Sequence, residues 1–82
     1  MVIVELLGTL GCHLCDDAEQ VLIAALDLSK VQVEVVDIAE SDALIQAYAM
    51  RIPVLRHVAT TSELDWPFQV DQVQQFVACL NS

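Results

Sequence analysis

A single small α/β domain is what this sequence predicts, on three observations. The apolar residues switch between strand-like and helical spacing in the order strand, helix, strand, helix, strand, strand, helix. The chain has 82 residues, room for one core and no long linker. Hydrophobic residues make up 56% of it, and a chain this short buries only a little over ~60% of its unfolded surface, so its interior must be rich in apolar groups. Low-complexity runs, internal repeats and Gly/Pro-rich linkers are absent, and residues 1–82 read as one globular unit.

Val2 to Leu7 is an almost continuous apolar run with branched residues, as in a strand covered on both faces. The wider stretch MVIVELLGTLG invites a signal-peptide reading. It lacks a basic start, Glu5 interrupts it, and it is too short to span a bilayer, so a first buried strand is expected. Gly8 to Gly11 breaks that strand. A helix follows from about His13, with Leu14, Ala18, Val21, Leu22 and Ala25 at helical spacing. Asp16, Asp17 and Glu19 lie near its start, where the helix dipole favours negative charge. VQVEVVDI then alternates, Val31, Val33 and Val35 against Gln32 and Glu34, which suits an edge strand protected by charge.

Ser41 is positioned to cap a short second helix with Leu44, Ile45 and Tyr48 inward. Pro53 opens a brief strand from Val54 to about His57. Ala59 to Ser62 reads as a turn, and Glu63 to Trp66 as the returning strand of a hairpin. Pro67 stops it. Asp71 with Gln74 has the spacing of a capping box for a last helix whose apolar face is Val73, Phe76, Val77 and Leu80. The first three elements suit a right-handed crossover between parallel strands.

Lys30, Arg51 and Arg56 are the only basic residues, and the formal charge is −9. Such a surface repels nucleic acid and anionic membranes, and neither is expected as a partner. The same charge keeps a small apolar protein in solution, and a monomer is expected. Three cysteines are an odd count, which argues against a fully paired structural framework. In a reducing cytosol a close pair is more often catalytic or metal-binding than structural, and cytoplasmic residence is expected.

The close pair is in GCHLC, residues 11–15. Cys12 falls at the start of the first helix, where free backbone N–H groups and the helix dipole favour a thiolate. Cys15, one turn on, is within reach of it. Such a pair can attack a disulfide through Cys12, hold a mixed disulfide, and release it through Cys15. His13, when protonated, favours the thiolate, whereas Asp16 and Asp17 oppose it. Two other readings stand beside this one: inert packed cysteines, and half of a zinc site, for which the usual second pair of ligands is missing and His57 and Cys79 are distant in sequence. Cys79 itself is expected to be a small core residue.

The C-x-x-C between a first strand and a first helix, the chain length and the segment RIPVL together resemble a thioredoxin-like fold of glutaredoxin size. GCHLCDDA, RIPVLR and ELDWPF resemble more narrowly the short bacterial glutaredoxin-like proteins, over essentially the whole chain. The resemblance implies a β-α-β-α-β-β-α order with a four-stranded mixed sheet. It implies a thiol–disulfide oxidoreductase with Cys12 as nucleophile and Cys15 as resolving thiol. It also implies a cis Ile52–Pro53 bond close to Cys12, with the backbone of Ile52 free to pair with substrate. His13, Arg51, Ile52 and Pro53 are then the substrate-side residues. Arg51 and Arg56 flank this loop, either to hold a substrate carboxylate or to pair with the many acids. Trp66 and Phe68 are packing residues, with Trp66 able to border a groove.

Three departures from glutaredoxins proper bear on the electron source. His13-Leu14 stands where those proteins have Pro-Tyr, Leu10 and Gly11 where a basic residue often precedes the first cysteine, and DWPFQVD lacks their Gly-Gly pair. Strong dependence on glutathione is therefore not expected, nor is a bound cofactor. A disulfide-containing protein or a small thiol compound is the expected substrate, with thioredoxin or a thioredoxin reductase as reductant. The competing reading is a non-catalytic binding module of the same fold, for a protein partner or a metal.

Overall fold

The structure, a computed structural model, describes residues 2–80. Strand β1 (Val2–Gly8) leads into helix α1 (His13–Ala25) and strand β2 (Val31–Asp37). A 3-10 turn (Ile38–Glu40) and the short helix α2 (Asp42–Tyr48) precede β3 (Val54–His57), β4 (Glu63–Asp65) and the final helix α3 (Val70–Ala78). The four strands form one sheet in the order β2-β1-β3-β4. β1 and β2 are parallel, while β3 runs antiparallel to both β1 and β4. This is the mixed four-stranded sheet and element order expected from the sequence.

β1 reads as continuously apolar because it is central and has a core on each side. Val4 and Leu6 face one core with Ala18 and Leu22 of α1, Phe68, and Val73 of α3. Leu7 faces the other, with Ile38, Tyr48 and Val54. Its one charge, Glu5, sits directly across from Arg56 in the β1–β3 register, and their side chains approach to 3.3 Å. Cross-strand neighbours share a face, so the exception in the apolar run has its counter-charge beside it.

Several expectations need correction. Leu14 is 49% exposed, because Cys15, one position on, takes the inward place beside Ala18 and Leu22. Ile45 is exposed as well, and Tyr48 alone of α2 is buried. Val31, Val33 and Val35 do lie along an edge strand, but burial fades along it: Val31 is 5% exposed and Val35 66%. The last helix is capped two residues earlier than the Asp71/Gln74 spacing suggests, with the Gln69 N–H donating to Gln72 Oε1 at 2.8 Å. Cys79 is exposed at the end of α3, not packed in the core. The 58–62 turn is fixed by buried His57, whose Nδ1 lies 2.7 Å from Thr60 Oγ1, and by Thr61 in the left-handed region at φ 59°. Among the described residues, no helix is long and apolar enough to cross a membrane.

Candidate dithiol site

The site begins where β1 stops. Gly11 has φ 78°, a left-handed conformation that side chains disfavour, and an added Cβ there would meet nothing within 4 Å. Glycine is needed for the backbone, not for space. The turn delivers Cys12 to the N-cap of α1, where its Sγ accepts the Cys15 N–H at 3.1 Å. One of the otherwise unsatisfied amides of the helix start thus points at sulfur. Cys12 and Cys15 are joined as a disulfide with Cα atoms 5.2 Å apart, within the usual span for such a bond.

The two sulfurs differ in setting. Cys12 is half-buried at the helix tip, and Cys15 is 8% exposed behind it. Gly8 makes the recess possible: a Cβ on it would lie 2.7 Å from Cys15 Sγ. Bare backbone at the end of β1 is what lets α1 approach this closely. In the sequence Gly8 reads only as a strand breaker, and this close approach has no local signal.

The 51–53 loop comes to the same end of the sheet, since Val54 at the start of β3 pairs with Leu7 near the end of β1. The Ile52–Pro53 and Trp66–Pro67 peptide bonds are both cis. Pro53 is buried, and its carbonyl accepts the Trp66 N–H at 3.2 Å, tying the two proline loops together. Ile52 is half-buried against the α2-side core, and its N–H donates to the Tyr48 carbonyl at 3.1 Å. The backbone of Ile52 is therefore not wholly free for a substrate, and its carbonyl is the half left to offer. His13 is exposed at the first position of α1. Trp66 stacks edge-on against buried Phe68, ring centroids 5.0 Å apart, and borders an open cleft with Pro67, Gln69 and Gln74.

The two arginines are engaged within the chain. Arg51 pairs with Glu63 at 2.7 Å and Asp65 at 2.8 Å, and its guanidinium lies 5.1 Å from the centre of the Tyr48 ring. The Tyr48 hydroxyl donates to Glu63 and accepts from Arg56 at 3.3 Å. The hydroxyl of Tyr48, then the guanidinium of Arg51, hold the Glu63 carboxyl below its ordinary value. Arg51 is raised above its own, first by Asp65 and then by Glu63. This network draws on α2, both hairpin strands and β1, and its members are scattered along the sequence. The sequence offers Arg51 and Arg56 as partners for the many acids, without saying which acids they meet. Among the described residues, no three His, Cys, Asp or Glu side chains converge as a metal site would need.

A profile of the glutaredoxin-like domain (DUF836) matches residues 3–78. The chain belongs to the glutaredoxin-like family. The X-ray structure of protein XcR50 from X. campestris is similar, with a TM-score of 0.82 and 33% identity over 95% of this chain and 99% of that one. The solution structure of XcR50 gives a TM-score of 0.81 at 33% identity, over 99% of this chain and 97% of the other. Protein Ne2328 from Nitrosomonas europaea, also solved in solution, gives 0.75 at 27% identity, over 92% and 89%. These neighbours place the glutaredoxin-like chain in the thioredoxin-like fold. A search of proteins with curated functions finds no match.

Proposed function

We propose that this glutaredoxin-like protein is a cytoplasmic thiol–disulfide oxidoreductase that works without a bound cofactor. The observation that carries the reading is the asymmetric pair: Cys12 at the helix N-cap, its sulfur receiving the Cys15 N–H, with Cys15 recessed behind it and already within bonding reach. An amide and the positive end of a helix stabilise S⁻ at Cys12 once the pair is reduced.

In the forward direction the Cys12 thiolate attacks one sulfur of a substrate disulfide. A mixed disulfide forms, and the other substrate sulfur leaves as a thiolate that takes up a proton. The deprotonated Cys15 then attacks Cys12 Sγ, expelling the second substrate thiolate and closing the Cys12–Cys15 disulfide. Two electrons have passed from the protein to the substrate. An external dithiol or thiol must return two electrons and two protons before another cycle.

The reductant is proposed to be a protein, thioredoxin or a thioredoxin reductase, with a disulfide-containing protein or a small disulfide as substrate. Glutathione is anionic, and its recognition takes positioned donors and cations for its carboxylates. Arg51 and Arg56 are committed to Glu63, Asp65, Glu5 and Tyr48, and the 65–71 segment has no glycine pair. Both facts support weak use of glutathione.

The test is an NADPH-coupled assay comparing glutathione with glutathione reductase against thioredoxin with its reductase, together with the single-cysteine variants. Turnover is expected mainly with the protein reductant. Cys12→Ser should abolish attack, whereas Cys15→Ser should accumulate a mixed disulfide visible by mass spectrometry. Turnover confined to glutathione would overturn the choice of reductant. Thiols that stay unreactive with every system would overturn the oxidoreductase reading in favour of a binding module.

A further inference from the structure

Behind the disulfide, on the side away from the proline loops, a cleft of about 190 Å³ opens between α1 and β2 and is lined in part by Gly11, Cys15 and Val35. A second, of about 170 Å³, continues it along the same helix and strand to Leu28. The two share Glu19 and Val35, so they form one groove that starts at the recessed Cys15 and runs down the sheet edge.

The groove has an apolar floor and an acidic rim. Val35 is 66% exposed, Ile23 61% and Leu28 58%, three large apolar side chains left bare around one groove. Asp16 and Glu19 stand on the helix wall, and Asp37 on the strand wall. Among the described residues β2 pairs only with β1, so its outer backbone edge is open to another extended chain.

From this arrangement, and resting on the oxidoreductase reading, we infer that the α1–β2 groove is the docking surface for a protein redox partner that presents an extended segment with both apolar and cationic side chains on the face it turns to α1, where every second residue points. The apolar positions cover Val35 and Ile23, and lysine or arginine side chains reach Asp16, Glu19 and Asp37. That places the partner's own cysteine at the Cys12–Cys15 end of the groove. Charge selects among occupants. An anionic ligand meets only carboxylates on the rim. A second copy brings −9 against −9, and antiparallel pairing centred on β2 sets Glu34 against Glu34, the middle residue of Val31–Asp37.

The probes are two cysteine-free peptides, one repeating leucine-serine-lysine-serine and one repeating leucine-serine-glutamate-serine, so that leucine and the charge share a face, titrated into the full-length oxidised protein and followed by amide NMR. The lysine–leucine peptide is expected to shift Glu19, Ile23, Val33 and Val35, and the glutamate–leucine peptide to leave them still. Val35→Ser, which keeps the charge, should weaken binding about fivefold by removing apolar cover, and Glu19→Gln should weaken it in a salt-dependent way. Shifts confined to the Trp66 cleft or scattered over the surface would overturn the inference. So would a Val35→Ser variant that binds as well as the parent, or a dimer in sedimentation whose contacts cover β2.

A kinetic arm separates this inference from the one beneath it. With disulfide-bearing versions of both peptides, kcat/KM should favour the cationic one, and Val35→Ser should move that ratio toward one. An unchanged ratio overturns the groove while leaving the oxidoreductase intact. Absent turnover of the parent protein on either disulfide-bearing peptide, with groove binding intact, overturns the oxidoreductase and leaves a docking surface for cationic segments.

Discussion

Gly8→Ala tests how closely α1 is held to the end of β1. The new Cβ would lie 2.7 Å from Cys15 Sγ and 3.3 Å from Cys15 Cβ, and the first distance is shorter than real Cβ contacts allow. Sulfur must therefore retreat by roughly 1 Å, or helix and strand must part. Overpacking of this kind costs about 1–3 kcal/mol. The two redox forms should not share the cost equally. In the disulfide, Cys15 Sγ is tied to Cys12, whereas in the dithiol it is free to rotate away.

If the whole cost falls on the disulfide form, the reduction potential rises by about 20–65 mV, since 30 mV corresponds to roughly 1.4 kcal/mol for two electrons. The sign follows from the cycle: a destabilised disulfide is more easily reduced. The assay pairs denaturant unfolding of both forms with titration of the Cys12–Cys15 couple against a dithiothreitol buffer. Equal loss of stability in both forms, with an unchanged potential, would refute the reasoning. So would no loss in either.

The ion-pair network predicts an acid response. Glu63 is held below its ordinary value in the folded protein by Tyr48 and Arg51, so its stabilising contribution is complete above the unfolded value of about 4.3 and is lost as pH falls through the lower folded value. Unfolding measured from pH 6 downward should show Glu63→Gln with a shallower fall than the parent, and a parallel pair of curves would contradict it. Thr61 carries a β-branched side chain at φ 59°, where residues other than glycine lose about 1–2 kcal/mol. Thr61→Gly should raise the melting temperature by about 4–8 °C per kcal/mol recovered, and a lower melting temperature would show that the hydroxyl's bond to the Thr60 carbonyl outweighs the backbone term.

The order and type of every strand and α-helix were legible in the sequence from local spacing and turn residues, whereas the 3-10 turn at Ile38–Glu40 was not, because Ile38 extends the apolar pattern of β2. β1 is apolar throughout because it is central, and β2 alternates because it is an edge. Inward and outward positions were less legible, since they depend on neighbours that sequence does not locate. Leu14 and Cys15 are adjacent and both apolar, and only the approach of α1 to Gly8 decides that Cys15 is the one recessed. Val35 continues a perfect alternation yet is 66% exposed, because among the described residues α1 does not reach over that end of β2. Cys12 and Cys15 stood out by spacing, and the structure joins them. Arg51 and Arg56 stood out as rare cations, but their carboxylate partners come from two separate strands, β1 and β4, and no pattern in one segment could name them.

The commitment of both arginines has a consequence at long range. They are balanced on the spot by Glu63, Asp65 and Glu5. Lys30, the remaining cation, stands before β2 at the end of the sheet where Val2 meets Val31, far from the turn after Gly8. Among the described residues Asp16, Asp17 and Asp37 make no ion pair, and their carboxylates at the dithiol end polarise the molecule along its strands. A cationic protein diffusing nearby feels a torque as well as an attraction, and is turned toward the Cys12 tip before any surfaces touch. That shortens the rotational search at the encounter, an effect on association rate that fades as salt shrinks the Debye length below about 10 Å.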